Sequence, residues 1–188
     1  MTKPLSDMTL EELWHLFPIF LVPPKEAWEE WYQEEKQALL RLFSKGEISS
    51  ISHIGSTAIP DIWAKNIVDI LLEVPETADL QYFKKQLLNA GYLLMSEEED
   101  RMSFNKGYTE TGFAQRVFHL HLRYQDDRDE LYFRDYLRAH LEVAKDYEGL
   151  KLALWKEYEH NRDAYTDAKT DFIRKYTQEA KKDYKGRY

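Results

Sequence analysis

The feature that most constrains the fold is a short apolar run, Asn66 to Val74, dominated by branched aliphatic residues. That composition favours a buried strand. The run contains Asp69 and Glu73 and is far shorter than the roughly 20 apolar residues that cross a bilayer. The acid-containing, proline-interrupted residues 1–24 do not resemble a signal peptide. We therefore predict a cytoplasmic protein with no membrane-spanning segment.

Helical and strand patterns alternate around this run. Helices are predicted at Lys25–Phe43, from Thr77 or Asp79 to Ala90, from Asp127 to a division at Gly149, at Leu150–Tyr158 and at Arg162–Ala180. Strands are predicted at Ser50–Ile54, Asn66–Val74, Tyr92–Met95, Arg101–Asn105 and Arg116–Arg123, the last three as an antiparallel meander. This order predicts an α+β fold, with a small mixed or antiparallel sheet packed against helices and a C-terminal helical extension.

Length and charge limit the organisation and the partners. The 188 residues suit one domain, which we place at 25–180, with 1–24 as a lead segment and 181–188 as a frayed tail. The 34 acidic residues exceed the 26 Lys and Arg, giving a net charge of -8, which argues against general binding of duplex nucleic acid. A local basic phosphate site stays compatible with that charge. Because there is no cysteine, any metal site must use His and carboxylates.

A Gly-Ser turn precedes the central strand. Residues 53–60 read His-Ile-Gly-Ser-Thr-Ala-Ile-Pro. Gly55 lets the backbone approach an anion, and the hydroxyl and amide groups of Ser56 and Thr57 can donate to phosphate oxygens. Asp69 follows in the apolar strand, where a carboxylate is costly to bury unless it is paired or bound to metal. The alternative is a structural turn closed by its own side-chain hydrogen bonds.

Two histidines alternate on a later strand, in the segment Phe-His-Leu-His-Leu at 118–122. Strand geometry puts His119 and His121 on one face, about 7 Å apart. With Asp69 they could form a mixed metal site with open positions for Mg, Mn or Zn, and either imidazole could move a proton. The alternative is the polar outer face of a half-solvated sheet.

Further cations lie in the predicted C-terminal helices. Arg138 could present its guanidinium to a phosphate, and Lys169 an ammonium, with Arg134 and the turn residue His53 in supporting positions. A solvated helix face is the alternative for each of these helical residues.

These motifs together resemble the GrpB family. The blocks that carry the resemblance are residues 53–60, 64–65, 69–71, 119–121, 133–140 and 164–173, so it extends over about 25–180. The family is similar in fold to the nucleotidyltransferase superfamily, and a GrpB-like domain also occurs fused to dephospho-CoA kinase. The resemblance thus implies a nucleotidyltransferase-like fold, while the family's own reaction is uncharacterised.

In active members of that superfamily, a Gly-Ser turn holds nucleotide phosphates and three carboxylates hold two magnesium ions. Asp69 matches the first carboxylate, but Leu71 occupies the second position and the later strand carries His119 and His121. Lys65 falls in the matching loop and would hold phosphate, whereas Asp61 adds a negative charge there. The resemblance therefore implies a one-metal site in place of the two-metal centre.

Two functions follow as hypotheses. The first is a nucleotidyl or phosphoryl transferase, or ligase, that uses a divalent metal and ATP or another nucleotide to modify a small molecule. The second is a non-catalytic nucleotide- or metabolite-binding module with a degenerate site. A purely structural role for the turn and the histidines explains the family motifs least well.

Overall fold

The computed structural model describes residues 3–125 and 128–188. Its helices are α1 (Leu10–Leu16), α2 (Ala27–Leu42), α3 (Leu80–Asn89), α4 (Asp129–Ala139), α5 (Leu141–Tyr158), α6 (Arg162–Asp167) and α7 (Thr170–Asp183). Its strands are β1 (Ser50–Ile54), β2 (Val68–Val74), β3 (Leu93–Glu97), β4 (Arg101–Thr109) and β5 (Gly112–Tyr124). Short 3-10 helices cover Leu5–Asp7 and Ser56–Ala58. The predicted helix start at Asp127 falls outside the described residues.

The five strands form one mixed sheet in the order β1-β2-β5-β4-β3. The central pair, β2 and β5, is parallel, and every other neighbouring pair is antiparallel. In the parallel pair Asp69 is opposite His119 and Leu71 is opposite His121. The predicted α+β fold with a mixed sheet, including the antiparallel meander, is confirmed.

One face of the sheet is apolar and is covered by α2 and α3. Alternate residues of β2 and β5 point into this core, where they pack against aromatic and aliphatic side chains of the two helices. The β2 and β5 residues of this core are Val68, Ile70, Leu72, Val74, Phe118, Leu120 and Leu122, and the helix residues include Trp28, Trp31, Tyr32, Leu39, Phe83 and Leu87. The alternation leaves Asp69, His119 and His121 on the opposite face.

The opposite face is covered in part by the C-terminal helices. Leu131 of α4 packs against Leu71 and Ile54. Beyond the sheet edge, α4, α5 and α7 pack on the turn after β1 through an apolar cluster that includes Ile59, Ile62, Phe133, Leu137, Val143 and Tyr147. This packing therefore holds the C-terminal helices against the loop that follows the Gly-Ser turn.

The N-terminal segment is part of this packing. Phe17, Ile19 and Leu21 are buried, and the Ile19 amide donates to the Glu159 carbonyl at 2.9 Å. Val22 forms an isolated β-bridge with Ala64. The predicted lead segment 1–24 thus contributes to the core. Pro18 and the pair Pro23-Pro24 break up its apolar pattern, so the sequence did not predict this contribution.

Other boundaries also differ from the predictions. Gly149 does not divide a helix, because Tyr147 and Leu154 on either side of it both pack inward along one continuous α5. The helix predicted at 162–180 is divided instead near Lys169, and it extends to Asp183. The predicted frayed tail includes this last turn of α7.

The tail is also tied to α4. The Tyr188 hydroxyl donates to the Asp135 carboxylate, and Arg187 forms an ion pair with the same side chain at 3.2 Å. Arg187, a charged residue of the segment predicted to fray, is therefore paired with α4. In the part of the chain that the structure describes, no helix combines the length and apolarity needed to cross a membrane.

Candidate functional site

The site is organised around the carboxylate of Asp69 on β2. Gly55, at the end of β1, has a positive φ of 72° and ψ of -174°, a region essentially restricted to glycine. A Cβ placed on residue 55 would lie 2.3 Å from Asp69 Oδ2. Only glycine therefore allows the turn and the carboxylate to occupy adjacent positions.

Two histidines adjoin the same carboxylate. Asp69 Oδ1 lies 3.3 Å from His119 Nδ1 and 3.9 Å from His121 Nε2. Burial opposes ionisation of Asp69, but its hydrogen bonds with His119 and His121 outweigh that effect and lower its pKa well below the usual value. The predicted grouping of Asp69, His119 and His121 is therefore present, with the carboxylate ionised.

His119 is held on both ring nitrogens. Its Nε2 lies 2.8 Å from the Tyr108 hydroxyl, and that hydroxyl accepts from Arg162 Nη1 at 3.0 Å. An arginine can only donate, so the single Tyr108 hydrogen is directed to Nε2 and the His119 proton is left on Nδ1, facing Asp69. Burial lowers the His119 pKa, although Asp69 opposes this, which favours the neutral ring. His119 thus acts as a link between Tyr108 and Asp69.

His121 differs from His119 in its exposure. Its side chain is 41% exposed, against 19% for His119. Its Nε2 also lies farther from Asp69 Oδ1, at 3.9 Å against 3.3 Å for His119 Nδ1. Of the two strand histidines, His121 is the one placed to touch a bound molecule.

Lysines surround the ring of Tyr165, beside this carboxylate. Lys65 Nζ lies 5.5 Å and Lys169 Nζ 4.4 Å from the Tyr165 ring centroid. Burial lowers the pKa of Lys65 to about 7, with Lys169 and Arg162 adding repulsion. Burial likewise lowers the pKa of Lys169 to about 8, against the attraction of Asp69. The site therefore gathers several cations within electrostatic reach of one carboxylate.

A third lysine, Lys151 of α5, lies under the loop that carries Lys65. It is 2% exposed, and its Nζ donates to the Trp63 carbonyl at 2.5 Å and lies 4.9 Å from the Tyr147 ring centroid. Burial lowers its pKa to about 7, with Lys169 contributing repulsion. Lys151 both fixes the loop and adds to the positive potential.

Ser56 belongs to the same cluster through α5. Its hydroxyl is hydrogen-bonded to Tyr147, whose pKa burial raises to about 12. Arg162 contributes an unusual group: among the described residues its Nε is buried with no hydrogen-bond partner. Buried polar groups are nearly always paired. An unpaired N–H beside lysines is a natural donor for an anion.

Thr57 and His53 point to the other side of the turn. The Thr57 hydroxyl lies 3.0 Å from His53 Nε2, and His53 Nδ1 lies 3.2 Å from Glu29 of α2. The His53 ring stacks on Tyr32, and burial lowers its pKa. These side chains connect β1 to α2, as the structural-turn alternative predicts for them.

The two predicted arginines also lie apart from Asp69. Arg138 Nε donates to the Ala58 carbonyl at 2.8 Å. Arg134 donates to the His53 carbonyl at 2.9 Å and to Asp135 at 2.7 Å. Both guanidiniums therefore fasten α4 to the Gly-Ser turn, and the rotation of α4 that directs them there is set by tertiary packing.

The predicted metal ligands are Asp69, His119 and His121. Across residues 3–125 and 128–188, no three His, Asp or Glu side chains are arranged as a metal site. One reason is that His119 Nε2 faces Tyr108 and its Nδ1 carries a proton. Asp69 is left as a single carboxylate ligand, and proteins can hold magnesium through one carboxylate where water and phosphate oxygens complete its coordination.

Three contributors were missing from the sequence-based set: Tyr108, Lys151 and Arg162. Lys151 carried a usable signal, since it lies four residues after Tyr147 and three before Leu154, on the buried face of α5. Tyr108 lies on β4 beyond Asn105, where the predicted strand ends, so no sequence pattern indicated its contact with His119.

Comparisons with known proteins place this chain in a family. The GrpB protein family model matches residues 18–179. The "Glutamate-rich protein GrpB" of Alkalihalophilus pseudofirmus is 33% identical over 82% of this chain and 91% of its own length. The "UPF0157 protein YqkA" of Bacillus subtilis is 34% identical over 95% of this chain, which spans 52% of that relative's length.

A solved structure agrees in fold. The "conserved protein GrpB from Enterococcus faecalis" has a TM-score of 0.75 and 32% identity, covering 88% of this chain and 99% of that one. The overall fold is thus shared with a family member. The chain belongs to the GrpB protein family, as its sequence motifs predict.

Proposed function

We propose that the Asp69 centre binds a nucleoside triphosphate together with a divalent cation, and that the protein transfers a nucleotidyl or phosphoryl group from it to a small molecule. The observation that carries this proposal is the crowding of Lys65, Lys169 and Arg162 beside one ionised carboxylate. Cations held this close, at lowered lysine pKa values and with an unpaired arginine N–H, are stabilised by a polyanion.

Each residue then has a distinct part. The ammonium groups of Lys65 and Lys169 and the Nε of Arg162 bind phosphate oxygens, and Ser56 donates at the turn. Asp69 would hold the cation, whose charge would offset that developing on the phosphates. His121 takes the proton of the attacking small-molecule hydroxyl as the new oxygen–phosphorus bond forms and the bond to the leaving group breaks. The leaving group is pyrophosphate in nucleotidyl transfer and the nucleoside diphosphate in phosphoryl transfer.

A second function is favoured by one observation. Leu71, which occupies the second carboxylate position of the superfamily pattern, is fully buried against Ile54 and Leu131. A site that has only one carboxylate on β2 suits retention of a nucleotide or metabolite without turnover. This binding module would use the same lysines and the same Asp69.

The test begins with a thermal-shift panel of nucleoside triphosphates, with and without magnesium, manganese or zinc, because a ligand of the native state raises the melting temperature. Lys65→Gln and Asp69→Asn are compared with Arg138→Gln, whose guanidinium donates to the Ala58 carbonyl. We expect a shift in wild type and Arg138→Gln that is lost in the other two variants. No shift with any nucleotide contradicts both functions.

Turnover separates the two functions. The protein is incubated with the stabilising nucleotide and mixtures of small hydroxy, amino and carboxylic acids, and nucleotide consumption is followed by chromatography. Consumption that is lost in His121→Ala, while binding is retained, supports transfer. Binding with no consumption in any mixture supports the binding module.

A further inference from the structure

A cleft of about 410 Å³ lies beside the phosphate-binding lysines. Its walls come from the N-terminal segment, α2, the loop before β2 and the start of β5, and they include Pro18, Phe20, Trp31, Ile67, Phe113 and Val117. Lys65 lines this cleft and also belongs to the cation cluster around Tyr165. The cleft and the proposed phosphate site are therefore joined at one residue.

Aromatic rings give the cleft an apolar wall. Phe20 and Phe113 meet edge to face, with their ring centroids 5.9 Å apart, and both rings are only half-buried. Phe113 is held from behind by Phe17, at 5.0 Å between centroids. Half-exposed rings fixed in this way present a surface on which a planar ligand can stack.

An amide with a fixed orientation supplies directional donors. Asn66 Oδ1 accepts from Trp28 Nε1 at 2.9 Å and from Lys25 Nζ at 3.2 Å. Because both partners are donors, the oxygen must face them, and the two N–H groups of the Asn66 amide are directed elsewhere. Asn66 lines the cleft, so these donors suit a ring that carries carbonyl or ring-nitrogen acceptors.

We infer that this cleft binds the heteroaromatic base of the ligand whose phosphates lie on Lys65 and Lys169. The inference rests on the proposed function, since the phosphate end defines the ligand. It adds the place where the base binds and the chemistry that recognises it, which an inorganic polyphosphate would lack. The base stacks on Phe113 and accepts from the Asn66 amide.

The test measures the affinities of nucleoside triphosphates and of inorganic tripolyphosphate by calorimetry, with magnesium present, on the whole chain. The ratio of the two affinities isolates the contribution of the base. We expect at least one nucleoside triphosphate to bind ten times more tightly than tripolyphosphate, which corresponds to about 1.4 kcal/mol.

Two variants address the two contacts. Phe113→Leu removes the ring, and Asn66→Asp keeps the oxygen for Trp28 but replaces the donors with an acceptor. Both should reduce the ratio at least fivefold. Tyr82→Leu, which removes an exposed ring on α3, should keep the wild-type ratio. Melting curves confirm that each variant is folded, and the tripolyphosphate affinity corrects for the charge added by Asn66→Asp.

The outcomes are distinct. Equal affinity for tripolyphosphate and every nucleotide, or a ratio unchanged in both Phe113→Leu and Asn66→Asp, overturns the base site and leaves the phosphate site standing. Nucleotide binding that is lost in Phe113→Leu but insensitive to Lys65→Gln supports the base site and contradicts the proposed phosphate site. Binding of neither ligand overturns both.

Discussion

Gly55 lies so close to Asp69 that a Cβ on residue 55 would be 2.3 Å from Asp69 Oδ2. The turn after β1 and the Asp69 carboxylate of β2 are thus adjacent and form one site. Antiparallel pairing of β1 with β2 sets Ile54 opposite Asp69, which brings the next residue alongside the carboxylate. The glycine of the Gly-Ser motif is therefore needed to leave room for the Asp69 carboxylate.

Gly55→Ala should therefore be costly. The added methyl group overlaps the carboxylate and the φ of 72° strains any L-residue, so the free energy of unfolding should decrease by at least about 2 kcal/mol. Gly149→Ala is the matched control, since nothing lies within 4 Å of a Cβ added at this position of α5. Its free energy of unfolding should increase by about 0.5–1 kcal/mol. Urea denaturation measures both, and equal stabilities of the two variants would contradict this account.

Lys65→Met should stabilise the fold while it removes anion binding. The folded-state pKa of about 7 lies below the ordinary 10.5. Below about pH 7 both states are protonated and the full cost of the buried charge is present; the cost is relieved as the pH rises from 7 towards 10.5. The variant's advantage in melting temperature should thus be largest near pH 6 and should narrow by pH 10.

Lys156→Met, on the exposed side of α5, is the control for the Lys65 experiment. It should change the melting temperature little at any pH. A Lys65→Met variant that is less stable than wild type at pH 6 would show that the ammonium is favourably paired in the free protein.

Tyr108→Phe should remove the preference of His119 for the tautomer that is protonated on Nδ1. Without the hydroxyl, Nε2 loses its donor and Arg162 loses its acceptor. We expect a loss of about 1 kcal/mol in stability and the appearance of the Nε2–H tautomer in ¹⁵N-edited NMR spectra. A Tyr132→Phe variant, whose ring lies near Tyr188, serves as control. A His119 tautomer unaffected by Tyr108→Phe would rule out the hydrogen-bond order inferred here.

Asp69→Asn should alter the acid side of the stability profile. Although burial opposes its charge, the two histidines lower the pKa of Asp69. Its contribution to stability is therefore present above the unfolded pKa of 3.8 and is lost as the pH falls through the folded value. The gap between wild type and variant, measured by urea denaturation, should be widest near neutral pH and should shrink below pH 4. A gap that grows on acidification would mean that Asp69 is protonated in the folded protein.

The sequence predicts the strand chemistry well because alternation is a local property. Two-residue periodicity alone places His119 and His121 on one face, and the parallel register sets Asp69 opposite His119. The presence of a carboxylate in an apolar strand likewise marked Asp69, but it also marked Glu73, which the structure pairs with Arg128.

The sequence could not predict the rotation of each helix about its own axis. Arg138 and Lys169 are both cations on C-terminal elements, yet one fastens the turn through Ala58 and the other reaches the Tyr165 ring. Which of them meets the site depends on how α4 and α7 pack, and that is a property of the whole core. The same holds for Lys151, which becomes a site residue only because α5 crosses under the loop at Trp63.

The most direct test of the central claim is a calorimetric titration of wild type and Asp69→Asn with ATP and the other nucleoside triphosphates, in manganese and in EDTA. We predict that wild type binds at least one of them and that manganese strengthens this binding at least tenfold. In Asp69→Asn the effect of manganese should disappear. A wild type that binds no nucleotide, or an Asp69→Asn variant with unchanged manganese dependence, would contradict the account.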